Sequence, residues 1–138
     1  MRRRLSHDFQ PPAAVVRLRL RAPSGADVVT TNALVDTGAD MCAISERVAA
    51  ALDLPPVRTS HVAGVFQVEK EIVIYRVELE IVGVGVFHAE AFGLEQGNAI
   101  IGRNVLRRLV LQFDGPHEAF SLESPGESCR PRARRDGP

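Results

Sequence analysis

Asp36, Thr37 and Gly38 follow the apolar run Ala33-Leu34-Val35 and lead into Ala39 and Asp40, and their types and order suit them to acid–base chemistry. An isolated carboxylate at the end of a hydrophobic strand is costly to bury. It needs hydrogen-bond donors, a counter-charge or a second acid with which to share a proton. Gly38 lets the backbone turn immediately after the strand, so Asp36 leaves a rigid element and enters a loop. The chain contains a single Asp-Thr-Gly. A matching acid would therefore have to come from a second copy of the chain.

Leu34-Val35-Asp36-Thr37-Gly38-Ala39-Asp40, followed after a β-rich stretch by Ala99-Ile100-Ile101-Gly102-Arg103-Asn104-Val105-Leu106, resembles the retropepsin-type aspartic proteases, of the single-domain cellular and bacterial kind. The resemblance covers about residues 14–123. It implies an all-β fold, a closed antiparallel β-barrel with a flap hairpin and one or two short helices. It also implies a homodimeric aspartic endopeptidase acting on peptide or protein substrates, with Asp36 of each subunit catalytic. Two facing carboxylates share one proton; the ionised one activates a water against the peptide carbonyl, and the protonated one stabilises the oxyanion and protonates the leaving nitrogen. No cofactor and no metal are expected.

The same resemblance assigns support of the site to Thr37, Gly38, Ala39, Asp40, Ile101, Gly102 and Arg103. Thr37 orients the pair across the dimer, and Gly38 leaves room for substrate backbone. Arg103 is expected to form a partly buried, bidentate bond with Asp40. Ala39 stands where pepsin-like relatives often carry a hydroxyl, whose absence predicts a less acidic activity optimum. Substrate is expected to meet Val35, the flap tip Ala63-Gly64-Val65-Phe66, and Ile101. A binding module with this fold, gripping an extended peptide with little or no turnover, is the alternative. A metal site at Asp36 and Asp40 is disfavoured, because the calcium-loop spacing fails where Met41 replaces glycine.

The elements that must hold these residues are legible as periodicity. Val16, Leu18 and Leu20 alternate with Arg17, Arg19 and Arg21, which predicts a half-buried strand with a solvated arginine face rather than a nucleic-acid stripe. Val28 to Val35 forms the strand entering the Asp36 loop. Ser45 is placed to cap a short helix that Pro55-Pro56 stops after Leu54. Thr59 to Ile81 reads as the flap hairpin, with Val77, Leu79 and Ile81 inward and Arg76, Glu78 and Glu80 outward. His61 is expected in solvent. Val82-Gly83-Val84-Gly85 is a turn and not a phosphate loop, because a strand follows it and the third glycine is missing. Asn104 to Leu109 suits a short helix, and Val110 to Leu122 a closing hairpin.

Composition sets the remaining bounds. With 138 residues the chain makes one domain with a core of its own. Seventeen basic residues balance seventeen acidic ones, so no net field draws it to nucleic acid or membrane. Two cysteines, Cys42 and Cys129, make a structural disulfide unexpected, and Cys42 is expected in the core. No segment approaches transmembrane length, and Met1-Arg2-Arg3-Arg4 does not lead into an apolar signal core, so a cytoplasmic protein is expected. Residues 1–12 read as a disordered arm, 13–123 as the protease domain, and 124–138 as a disordered tail.

Overall fold

In a computed structural model, which describes residues 1–63 and 69–125, the chain forms two sheets sharing one core. The strands are β1 (Arg2–Arg4), β2 (Val15–Arg21), β3 (Val28–Val35), β4 (Cys42–Ser45), β5 (Pro56–Ala63), β6 (Glu69–Ile81), β7 (Gly85–Leu94), β8 (Ala99–Ile101), β9 (Val110–Asp114) and β10 (Ala119–Glu123). Helix α1 spans Glu46–Ala51 and α2 spans Arg103–Leu106. The larger sheet has the order β2-β3-β8-β4-β7-β6-β5, and a further β2–β6 pairing closes the first six of these into a barrel. Two of its pairings, β3–β8 and β4–β7, are parallel. β5 lies outside the ring, paired only to β6.

Alternation becomes burial as expected. Val16, Leu18, Leu20, Val77, Leu79 and Ile81 all face the core, while Arg17 and Arg19 face out. The outward arginines have a structural task where β2 meets β6: Arg19 pairs with Glu80 at 3.3 Å and Arg21 with Glu78 at 3.9 Å, each opposite its partner in the register. Cross-strand ion pairs of this kind support the seam that closes the barrel.

Both helices are short. Ser45 Oγ accepts from the Arg47 N–H at 3.2 Å, capping α1 as its sequence predicts. α2 follows Gly102 as its N-cap residue and ends before the expected Leu109, because the chain turns at Arg107 and Arg108 to enter β9. Val105 and Leu106 nevertheless pack inward.

The N-terminal segment differs from the expected arm. β1 pairs antiparallel with β10, with Arg3 opposite Phe120, and Leu5 is buried. Ser6 and Ala13 exchange both backbone hydrogen bonds, at 2.7 and 3.1 Å. The physical reason is a long-range one: Arg2–Arg4 has no apolar periodicity of its own, and its order comes from the ladder that β10 offers. The tail from residue 126 onward and the flap-tip residues Gly64, Val65 and Phe66 lie outside the described residues.

Candidate active site

β3 delivers Asp36, and β8 holds it there. Ala33, Leu34 and Val35 run parallel to Ala99, Ile100 and Ile101, and the Asp36 N–H continues that ladder by donating to the Ile101 carbonyl at 3.0 Å. The chain then turns back on itself: the Gly38 N–H donates to Asp36 Oδ1 at 2.8 Å, and the Ala39 N–H to the Asp36 carbonyl at 3.3 Å. One carboxylate oxygen is thereby fixed by the loop it begins. The side chain is half-buried, while Thr37 and Gly38 are exposed on the turn.

A second layer braces the loop from α2. The Arg103 N–H donates to the Ala39 carbonyl at 2.8 Å and the Asn104 N–H to the Asp40 carbonyl at 3.2 Å. The Arg103 guanidinium divides its donors, Nη1 reaching the Thr37 carbonyl at 2.8 Å and Nη2 reaching Asp40 Oδ1 at 2.6 Å. This departs from the expected partly buried, bidentate pair. Asp40 is 90% exposed and Arg103 52%, so the ion pair is a surface one, and the guanidinium acts as a strut between two points of the loop.

Gly102 has no room for a side chain. A Cβ there would lie 2.5 Å from both the carbonyl carbon and the oxygen of Met41, so the two backbones touch where α2 starts. Ile101 is fully buried beneath the loop. It is therefore not open to substrate from this chain, contrary to the expected subsite role, and supports Asp36 from below. Val35 and Ala39 are half-buried beside the acid.

Asn104 is the supporting residue that local patterns did not single out. Its Oδ1 accepts from the Cys42 N–H at 3.0 Å and faces Cys42 Sγ at 3.2 Å, while its Nδ2 donates to the Glu90 carbonyl at 2.8 Å. One amide thus ties α2 to β4 and β7. Cys42 is buried, and burial pushes its thiol up to about 11, which leaves it an inert core residue.

A further polar contact lies at the root of the β5–β6 hairpin. Ile74 opposite Phe92 is the last β6–β7 pair, so residues 69–73 of β6 pair with β5 alone. Immediately inside that point Tyr75 donates to Glu46 Oε2 at 2.6 Å, and a Cβ on Gly93 would collide with the Glu46 carboxylate. The hairpin is therefore latched to α1 where it leaves the barrel. Ala63 ends β5, and His61 is exposed.

A cleft of about 570 Å³ is lined in part by Arg3, Phe9, Val15, Arg17, Asn32 and Leu34, but not by Asp36.

Comparison with known proteins gives two kinds of match. Residues 26–108 match the family model described as "gag-polyprotein putative aspartyl protease". Among solved structures, a retropepsin-like aspartic protease from Rickettsia conorii superposes with a TM-score of 0.63 at 17% identity, covering 88% of each chain. The EIAV protease in complex with the inhibitor HBY-793 gives 0.52 at 18% identity, over 69% of this chain and 86% of that one. The Simian Foamy Virus (mac) protease gives 0.53 at 16% identity, over 68% and 92%. At these identities the structures are alike in fold. No curated protein matches the chain.

Proposed function

The chain belongs to the gag-polyprotein aspartyl protease family, and from that premise we propose that it is an aspartic endopeptidase whose site is completed by a second copy. The observation that carries the reading is the way Asp36 is held. An acid at the end of a buried strand has its backbone on Ile101, one oxygen on the Gly38 N–H, and no basic side chain bonded to its carboxylate among the described residues. Such a carboxylate is aimed but not neutralised. It is suited to meeting its equivalent across a two-fold axis.

Two Asp36 carboxylates within hydrogen-bond reach hold one proton between them, because like charges at that distance do not both persist. A water between them loses a proton to the ionised member as its oxygen bonds to the scissile carbonyl carbon. The protonated member donates to the developing oxyanion. Collapse of the tetrahedral intermediate then breaks the C–N bond as a proton passes to the leaving nitrogen, yielding a carboxylic acid and an amine. Thr37 is exposed at the turn, which suits it to hydrogen-bonding across the dimer, and its carbonyl accepts from Arg103. Gly38 presents no side chain above the acid, so an extended peptide approaches closely. The β5–β6 hairpin acts as the flap that closes over the substrate, and Val35 lines the floor.

The test is cleavage of a diverse peptide library by the purified protein, with Asp36→Asn alongside. Cleavage should vanish in Asp36→Asn while peptide binding persists, and specific activity should rise with protein concentration as dimer forms. Cleavage unchanged by Asp36→Asn would refute the reading. Binding without cleavage by the wild-type chain would favour the peptide-binding module instead.

A further inference from the structure

A groove of about 380 Å³ lies where β6 and β7 meet the turn that follows α2. Arg76 of β6, His88 of β7, and Arg107 and Arg108 of that turn line it, and all four are exposed. Met41 and Ala89, both half-buried, supply an apolar part of the lining. In the β6–β7 ladder Arg76 stands opposite Glu90 and His88 opposite Glu78, the arrangement in which cross-strand pairs of opposite charge form. Both acids are already taken from elsewhere: Glu90, which also lines the groove, by Arg58 at 2.8 Å, and Glu78 by Arg21 at 3.9 Å. Asp40, the neighbour of Met41 in the chain, is held by Arg103. Among the described residues no carboxylate pairs with Arg76, His88, Arg107 or Arg108. In a chain whose charges balance overall, this groove is left with a local positive excess.

We propose that the groove docks an acidic segment of the substrate polypeptide, lying outside the residues that flank the cleaved bond. Three guanidiniums offer forked N–H donors that match carboxylates, and Met41 and Ala89 give the methylenes of a glutamate side chain an apolar surface. Met41 links the groove to the site. It is five residues beyond Asp36 on one loop, so the two Cα atoms are within about 18 Å of each other. An extended peptide rises about 3.3 Å per residue, which puts the acidic segment within about six positions of the cleaved bond. Two subunits bring two such grooves, so acidic residues on either side of the bond are read. Nucleic acid, the other polyanion, fits less well, because no Phe, Tyr or Trp lines the groove to stack a base. The inference rests on the peptidase reading above and adds a substrate class to it.

Paired peptides that share one cleavable apolar core and differ only in an outer run of Glu or of Gln test it. The Glu peptide should be preferred about tenfold in kcat/KM, through KM, and the preference should fade as salt is added. Arg107→Gln/Arg108→Gln should remove most of that preference. Arg4→Gln/Arg47→Gln, which loses the same charge at exposed positions that do not line the groove, should keep it. Binding of the same two peptides to Asp36→Asn protein repeats the comparison without turnover. No preference for the Glu peptide, or a preference that survives Arg107→Gln/Arg108→Gln, would overturn the docking groove and leave Asp36-dependent cleavage standing. A single-stranded RNA oligonucleotide that binds through Arg107 and Arg108 more tightly than the Glu peptide would overturn the assignment to protein. Binding of the Glu peptide that depends on Arg107 and Arg108, in a wild-type chain that cleaves nothing, would keep the groove and refute the peptidase reading.

Discussion

Arg103 reaches back across the start of α2 to the Thr37 carbonyl and the Asp40 carboxylate, at 2.8 and 2.6 Å, and so spans the turn that follows Asp36. As an exposed ion pair it contributes under about 1 kcal/mol to stability. Its larger effect is on position. Arg103→Ala should therefore lower the melting temperature little but cut kcat/KM on the order of a hundredfold, because small displacements of reacting groups are that costly. Arg103→Lys, which offers a point charge in place of a fork, should recover stability more fully than activity. Thermal melts paired with peptide-cleavage kinetics separate the two effects; a large melting shift with unchanged kinetics would contradict the strut.

Gly102→Ala should be far more damaging to the fold. Its Cβ would lie 2.5 Å from Met41 backbone atoms, and neither strand nor helix has a flexible side chain to move aside. The backbone must shift, at a cost of about 3 kcal/mol. Denaturant unfolding would show the loss, and a Gly102→Ala protein as stable as wild type would mean that the two backbones are further apart.

Asn104→Leu removes an amide that serves Cys42 and Glu90 at once. A Cys42 N–H left without an acceptor costs about 1–3 kcal/mol. The same substitution frees the thiol from its polar neighbour, so alkylation of Cys42 should accelerate as local opening becomes easier. In wild-type protein, with the thiol pushed up to about 11, alkylation near neutral pH should be slow until the chain unfolds. Mass-spectrometric labelling of a Cys129→Ser chain reads this directly.

Tyr75 gives a pH prediction with a clean probe, because it is the only tyrosine and there is no tryptophan. Donation to Glu46, then burial, push its hydroxyl from 10.0 up to about 12. The folded chain therefore holds this proton more tightly than the unfolded chain. The stability linked to it is complete below about pH 10 and is lost as pH rises through about 12. Tyrosinate absorbance should titrate near the upper value in wild type and return towards 10 in Glu46→Gln, and also in Gly93→Ala, whose added methyl displaces Glu46. Tyr75→Phe should loosen the hairpin root, seen as faster amide exchange in residues 69–73. An unshifted Tyr75 titration would remove the latch.

The sequence by itself determined the strands whose two faces meet different surroundings. Val16, Leu18 and Leu20, and Val77, Leu79 and Ile81, alternate because one side of each strand is core. It also determined the Ser45 cap and the strand-Asp-Thr-Gly unit, all set by neighbours within a few residues. What only the tertiary structure decided depends on groups far apart in the chain. Arg2–Arg4 reads as a charged arm until β10 offers it a ladder. Ile101 reads as a candidate substrate contact until the fold buries it completely, and Arg103 as half of a partly buried, bidentate pair until its donors are seen divided between Thr37 and Asp40. Asn104 and the Tyr75–Glu46 latch carry no local signature, because one polar side chain inside a short helix or strand looks the same whether it faces water or ties three elements together. Periodicity records which face is buried. It does not record which distant backbone or carboxylate completes a hydrogen bond, and that pairing is what fixes the loop around Asp36.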